Sequence, residues 1–111
     1  MSEFITNWKA QIRRGYLELC ILLLIQRHGR IYGFDLLEKL RAIDLEVKEG
    51  TLYPLLNRMT VDGILKAEWE TQNLKGHPRK FYSLTKEGTK LLTEMSTEYA
   101  RMGAIFTDIA R

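Results

Sequence analysis

Apolar residues recur along this chain in two rhythms, and the change between them divides it. From Asn7 to His28 the spacing is helical: Ile5, Trp8, Ile12, Tyr16 and Leu19 mark one face, and the run Leu19 to Ile25 is then almost continuously apolar. The pattern predicts one long helix over residues 7–28, bent near Gly15, with Gly29 as the left-handed residue that ends it. The apolar run is seven residues long, against about 20 for a membrane span, so it is a buried helical segment. Tyr32 to Ile43 predicts a second helix, with Phe34, Leu36, Leu37, Leu40 and Ile43 three or four residues apart. A third runs from Thr51 to Val61 on Leu52, Leu55, Leu56 and Met59, and stops at Asp62-Gly63. With Thr51 as its N-cap, Pro54 occupies the third helical position, where a missing N–H costs nothing.

Beyond Ile64 the period becomes two. Leu65, Ala67, Trp69 and Thr71 alternate with Lys66, Glu68, Glu70 and Gln72, the mark of a strand with one buried face. Asn73 to Pro78 reads as a turn, and Arg79 to Leu84 as a returning strand with Tyr82 and Leu84 inward. Thr85 is placed to cap a last helix that runs to about Ala110. The fold class is therefore mainly α with a two-stranded β-hairpin, in the order of a winged helix-turn-helix followed by a long helix. On that last helix Leu92, Met95, Tyr99, Met102, Phe106 and Ile109 alternate at three and four residues, the spacing of a helix packed along another helix. Either it folds back over its own domain or it meets a second copy. The Ile5, Trp8 and Ile12 stripe also needs cover, and a two-fold homodimer satisfies both. Residues 1–88 then form the winged helix-turn-helix domain, and residues 89–111 the dimerisation helix.

Composition narrows the class. A chain of 111 residues is one domain, and 45% hydrophobic with 28% charged residues describes a folded chain with a modest core. The net charge of +3 identifies no partner until it is located. Residues 1–31 carry five basic and two acidic groups, a surplus to which the sequence assigns no role. The hairpin, residues 64–84, carries four and two; Lys75, His77, Arg79 and Lys80 stand there with no acid between 71 and 84. A basic hairpin tip reaches the phosphates beside a groove while a helix end enters it, although solvated basic turns are also common.

The chemistry of an enzyme is missing. His28 and His77 have no Cys, Asp or Glu at metal-ligand spacing, Cys20 lies in the apolar stretch as inert core, and no nucleophile–base pair or phosphate-binding Gly loop is present. The expectation is no enzyme, no metal and no cofactor. One cysteine excludes an internal disulfide, and with no secretory signal the chain reads as cytoplasmic, with no membrane association.

Several motifs together carry a family likeness. Tyr32-Gly33, Gly50-Thr51-Leu52-Tyr53-Pro54-Leu55-Leu56, Asp62-Gly63-Ile64-Leu65, Trp69, and Arg79-Lys80-Phe81-Tyr82-Ser83-Leu84-Thr85-Lys86-Glu87-Gly88 resemble the PadR-like transcriptional regulators. The likeness spans Gly15 to Gly88 with the motifs in order. The single long C-terminal helix resembles the small, multidrug-binding branch. The resemblance implies a homodimer that binds a two-fold operator in double-stranded DNA, a repressor released by a small molecule. It implies that Gly50, Thr51 and Tyr53 begin the recognition helix, with Arg58 one turn on. Tyr32 falls where relatives touch the DNA backbone, and Lys75, Gly76, His77, Arg79 and Lys80 fall on or beside the wing.

Residue chemistry is compatible with those roles and leaves alternatives. Thr51 offers a hydroxyl at a helix N-terminus. Tyr53 either bonds a phosphate or packs beneath the wing, and Arg58 either contacts phosphate or pairs with Asp62. Many relatives have Ser-Pro where Lys48-Glu49 stand here; Lys48 adds a phosphate contact, whereas Glu49 either discriminates bases or points away. In the multidrug-binding branch the first and last helices of two subunits enclose an aromatic pore. Trp8, Ile12, Met95, Tyr99, Met102 and Phe106 fall at that place and suit a planar hydrophobic molecule, or are plain interface core. Two other functions remain open: a winged-helix module that grips an acidic protein, and a ligand-binding protein with vestigial DNA binding.

Overall fold

The computed structural model describes residues 2–70 and 79–111. Four helices and three strands follow one another: α1 (Ser2–His28), β1 (Ile31–Tyr32), α2 (Gly33–Ala42), α3 (Glu49–Val61), β2 (Leu65–Glu70), β3 (Arg79–Leu84) and α4 (Lys86–Ala110). The helix, helix, helix, hairpin, long-helix order predicted above is present. Gly29 ends α1 with φ +76°, as expected.

Three differences have local causes. The sheet has three strands in the order β1-β3-β2, all antiparallel. Ile31 and Tyr32 pair with Tyr82 and Phe81, filling the edge of β3 that the hairpin leaves free. Two residues carry no period, so a strand this short leaves no trace in the hydrophobic pattern. Second, α3 begins at Glu49, with Lys48 as an N-cap that offers no side-chain bond. The Thr51 and Leu52 N–H groups both donate to the Lys48 carbonyl, at 2.9 and 3.0 Å, so Thr51 is not the cap and Pro54 lies one turn deeper than expected. Pro54 supplies no N–H for the Gly50 carbonyl, and Gly50 is exposed, so water can take that place. Third, α1 starts at Ser2 and stays helical through Gly15.

The core forms around the second half of α1. Ile21, Leu22 and Ile25 pack with Leu36, Leu37 and Leu40 of α2 and Leu52, Leu56 and Met59 of α3. The sheet closes it with Ile31, Leu65 and Tyr82, and α4 contributes Leu92. Trp69, expected inward on β2, is 60% exposed, and Phe34 of α2 (58%) and Ile43 at the C-terminal cap of that helix are exposed as well. This core ends with the first turns of α4, whereas both long helices run on past it. The radius of gyration is 16.1 Å, against roughly 13 Å for a compact domain of this length.

The start of α4 is fixed by a knot of bonds. The Thr85 hydroxyl accepts from the Gly88 N–H at 2.9 Å and lies 2.6 Å from the Gly63 carbonyl and 3.0 Å from that of Ile64. The Thr85 N–H donates to Ile64 as well, at 3.1 Å. This cap sets the direction in which α4 leaves the domain.

Candidate nucleic-acid interface

Helix α3 buries Leu52, Leu56 and Met59 and leaves Gly50, Thr51, Tyr53, Pro54, Asn57 and Arg58 outward. Its exposed side is therefore small and polar at the N-terminus. Two open cavities flank it. On the sheet side, a cavity of about 740 Å³ lies between α3, the start of α2 and the inner face of the wing, lined by residues that include Tyr32, Tyr53, Asn57, Trp69, Arg79 and Lys80. On the α1 side, a groove of about 1030 Å³ brings Lys48, Gly50, Thr51 and Arg58 beside Lys9, Arg13 and Arg14.

The structure shows how the sheet-side residues are held. Phe81 and Tyr32 stack at 3.7 Å across the β1–β3 pair. The Arg30 guanidinium lies 3.5 Å over Phe81, and that of Arg79 lies 4.8 Å over Tyr32. The Tyr32 hydroxyl donates to Glu70 at 3.4 Å, and Arg30 stands 3.9 Å from the same carboxylate. This ladder ties three strands together and places Arg79 at the wing edge. Each such cation–aromatic contact contributes about 0.5–1 kcal/mol at an exposed site. Tyr32 thus positions the wing cation. Lys80 sits on the other face, 5.3 Å over Trp69 and 5.9 Å over Tyr82.

Tyr53 packs beneath the wing. Gly33 makes room for it: a Cβ there would stand 2.8 Å from the Tyr53 ring. Burial, and then the Glu49 carboxylate, push the Tyr53 hydroxyl above its usual pKa, so it stays a neutral donor. Arg58 donates to Glu18 of α1 at 2.8 Å rather than pairing with Asp62. Lys75, Gly76 and His77 lie outside the described residues.

A separate face formed by α1 and α4 is apolar. Ile5, Trp8 and Ile12 on α1 and Tyr99, Met102, Phe106 and Ile109 on α4 are all exposed, Phe106 by 71%. Tyr16 and Tyr99 meet at 5.6 Å, joining the two stripes into one face. Leu92 and Met95 behave differently from the rest of the expected stripe. Leu92 is 2% exposed in the chain's own core and Met95 is half-buried against it. Cys20 is half-buried rather than fully so, and burial raises its thiol pKa.

Comparison with known proteins names this arrangement. A family model for the transcriptional regulator PadR-like family matches residues 21–94. The chain belongs to the PadR-like family. A PadR-like transcription factor from Bacteroides fragilis is 40% identical, with 93% of this chain and 98% of that one covered and a TM-score of 0.79. A PadR family regulator from Eggerthella lenta superposes at a TM-score of 0.85 over 99% of this chain and 95% of that one, at 26% identity. A transcriptional regulator of Mycobacterium tuberculosis is 35% identical over 66 residues, 60% of each chain. This PadR-like protein is accordingly a DNA-binding transcriptional regulator with a winged-helix fold. No helix among the described residues is long and apolar enough to cross a membrane.

Two sets of residues escaped sequence reasoning. Arg30 and Glu70 complete the aromatic ladder, although nothing in their spacing marks them. Lys9, Arg13 and Arg14 line the groove beside α3, and their only sequence signal was the unassigned surplus of charge before residue 31.

Proposed function

We propose that this PadR-like regulator is a homodimeric, cytoplasmic repressor of a two-fold operator, relieved when a planar apolar ligand enters the dimer seam. The observation that carries the dimer is the apolar face of α1 and α4, joined at Tyr16–Tyr99 and uncovered within the protomer. Burying a Trp, Phe or Ile contributes about 1.5–3 kcal/mol each, so a face of this size gives ample driving force for pairing. Pairing through these helices sets two α3 helices at a fixed separation, which must match one DNA turn, about 34–36 Å.

Trp8, Ile12, Met95, Tyr99, Met102 and Phe106 lie on or beside that face and belong to neither cavity flanking α3. Aromatic rings and flexible Met side chains suit a flat guest between the two subunits. Such a ligand acts by population shift: it must bind the DNA-incompetent separation more tightly than the competent one.

The test is a mobility-shift assay and a nuclease-protection footprint on DNA upstream of the coding region, with sedimentation velocity on the free protein. The expected results are a dimer and a footprint with two half-sites one turn apart. A monomer that binds a single half-site with full affinity refutes the dimer. Anilinonaphthalene sulfonate, an aromatic dye whose fluorescence rises in apolar surroundings, tests the seam: fluorescence should rise and operator affinity fall. Full operator affinity at saturating dye refutes relief by this class of ligand. The DNA arm also separates the alternatives, because an acidic-protein module or a pure ligand carrier leaves duplex DNA unbound.

A further inference from the structure

The charge on α1 acquires a place once α3 is seen from both sides. Tyr53 and Asn57 look toward the wing cavity, whereas Thr51 and Arg58 look toward α1. A helix seated in a major groove has a phosphate strand along each flank. The wing serves one flank, and the α1 groove stands on the other.

That groove has the chemistry of a phosphate site. Its cations are Lys9, Arg13 and Arg14 of α1 with Lys48 and Arg58 of the α3 region, and its carboxylates are Glu18 and Glu46. The Arg58–Glu18 pair cancels internally at 2.8 Å. The four cations that remain face one carboxylate, and Lys9, Arg14 and Lys48 make no ion pair among the described residues. Arg13 donates to the Glu46 carbonyl, which ties α1 to the segment leading into α3. The start of α3 adds to the field, since the N–H groups of Glu49 and Gly50 have no acceptor within the helix and Lys48 provides no side-chain cap.

We infer that the α1–α3 groove binds the DNA backbone strand opposite the wing, with Lys9 and Arg14 as sequence-independent phosphate contacts. The inference rests on the DNA-binding reading above and extends it to a helix whose apolar stripe serves a different surface. On α1, Thr6, Ala10, Arg13 and Arg14 lie about a third to nearly half a turn from the centre of the Ile5, Trp8 and Ile12 stripe and Lys9 about a fifth of a turn, so the groove is centred away from the seam.

The test is a Lys9→Ala, Arg14→Ala double variant of the full chain, which keeps the Arg13 tether and adds good helix formers. Binding to a fluorescent duplex is measured by anisotropy across a KCl series, with circular dichroism and sedimentation as checks on fold and assembly. Removing two phosphate contacts from each protomer, four per bound dimer, should reduce the log–log salt slope by about 3.6 and weaken binding about 900-fold near 0.15 M salt, equally for operator and unrelated duplex. Lys90→Ala, on α4 away from α3, should leave the slope unchanged. Ethylation interference should lose its signal at phosphates of one strand in each half-site, the two sets related by the operator's two-fold axis. A wild-type slope in the double variant overturns the groove while leaving the DNA-binding reading intact. An equal loss in Lys90→Ala overturns it as a general charge effect. Wild-type protein that binds poly-glutamate through these residues but ignores duplex DNA overturns both readings.

Discussion

Gly88→Ala places a methyl group where the chain leaves no room. Gly88 is in the first turn of α4 and lies directly on the Ile64 backbone. A Cβ there would overlap the Ile64 carbonyl oxygen and stand 3.0 Å from its carbon and 3.3 Å from Cγ2. Relief requires a shift on the order of 1 Å, because the obstacle is backbone held at the end of α3 and the start of β2. The shift separates the groups that cap the helix: the Thr85 hydroxyl from Gly63 and Ile64, and the Thr85 N–H from Ile64. Losing the cap costs about 1 kcal/mol, and the stretched bonds or residual overlap cost about 1–3 more. Helix propensity returns somewhat under 1 kcal/mol, because Ala outperforms Gly within a helix. The expected net loss is about 1–3 kcal/mol, a large fraction of the stability of a domain this small. Urea denaturation followed by circular dichroism reads it as a lower midpoint at unchanged slope. Gly15→Ala, at an exposed position on α1 with nothing within 4 Å of its Cβ, should stabilise by a few tenths to 1 kcal/mol in the same assay. A Gly88→Ala loss below 0.5 kcal/mol, beside that control, would refute the claim that contact with Ile64 sets the root of α4.

Three further outcomes follow from named contacts. Phe106→Glu should convert dimer to monomer, with a dissociation constant raised at least a hundredfold in sedimentation, because two buried rings worth about 1.5–3 kcal/mol each become two charges; unfolding should be unaffected in the monomer, since Phe106 touches no core. Tyr53→Phe keeps the ring against Gly33, so stability should hold within about 0.5 kcal/mol while duplex affinity falls about tenfold; an unchanged affinity in anisotropy assigns Tyr53 to packing alone. The Cys20 thiol has its pKa raised by burial, partly offset by the Tyr16 hydrogen bond, so the folded chain holds this proton more tightly than the unfolded one. That contribution to stability is present below the unfolded pKa and is lost as pH rises through the folded value. Iodoacetamide at pH 8 should therefore alkylate native Cys20 more slowly than the urea-unfolded chain, and equal rates contradict the shift.

The order of elements was legible in the sequence because each long element carries many repeats of its period. Arg79 to Leu84 and the Thr85-capped helix to Ala110 lie where their patterns put them. Boundaries held by few residues were not legible. Ile31–Tyr32 became a strand because β3 offered an open edge, and α3 began at Glu49 because Thr51 and Leu52 both bond the Lys48 carbonyl. The candidate site residues were readable as types and incomplete as a set. Thr51 and Tyr53 stand in one contiguous motif, whereas Arg30, Glu70 and the α1 cations reach the site from distant parts of the chain.

Local chemistry by itself determined the helices, the hairpin strands, the cap at Thr85 and the existence of two apolar stripes, since these depend on residues within a turn or two of each other. Tertiary structure decided which side chains share a space. It assigned Leu92 to the core and left Phe106 outside, turned Arg58 toward Glu18, and set Lys9 and Arg14 beside the end of α3. Helical periodicity gives the angle of a side chain about its own axis, and only packing between helices sets what stands opposite it.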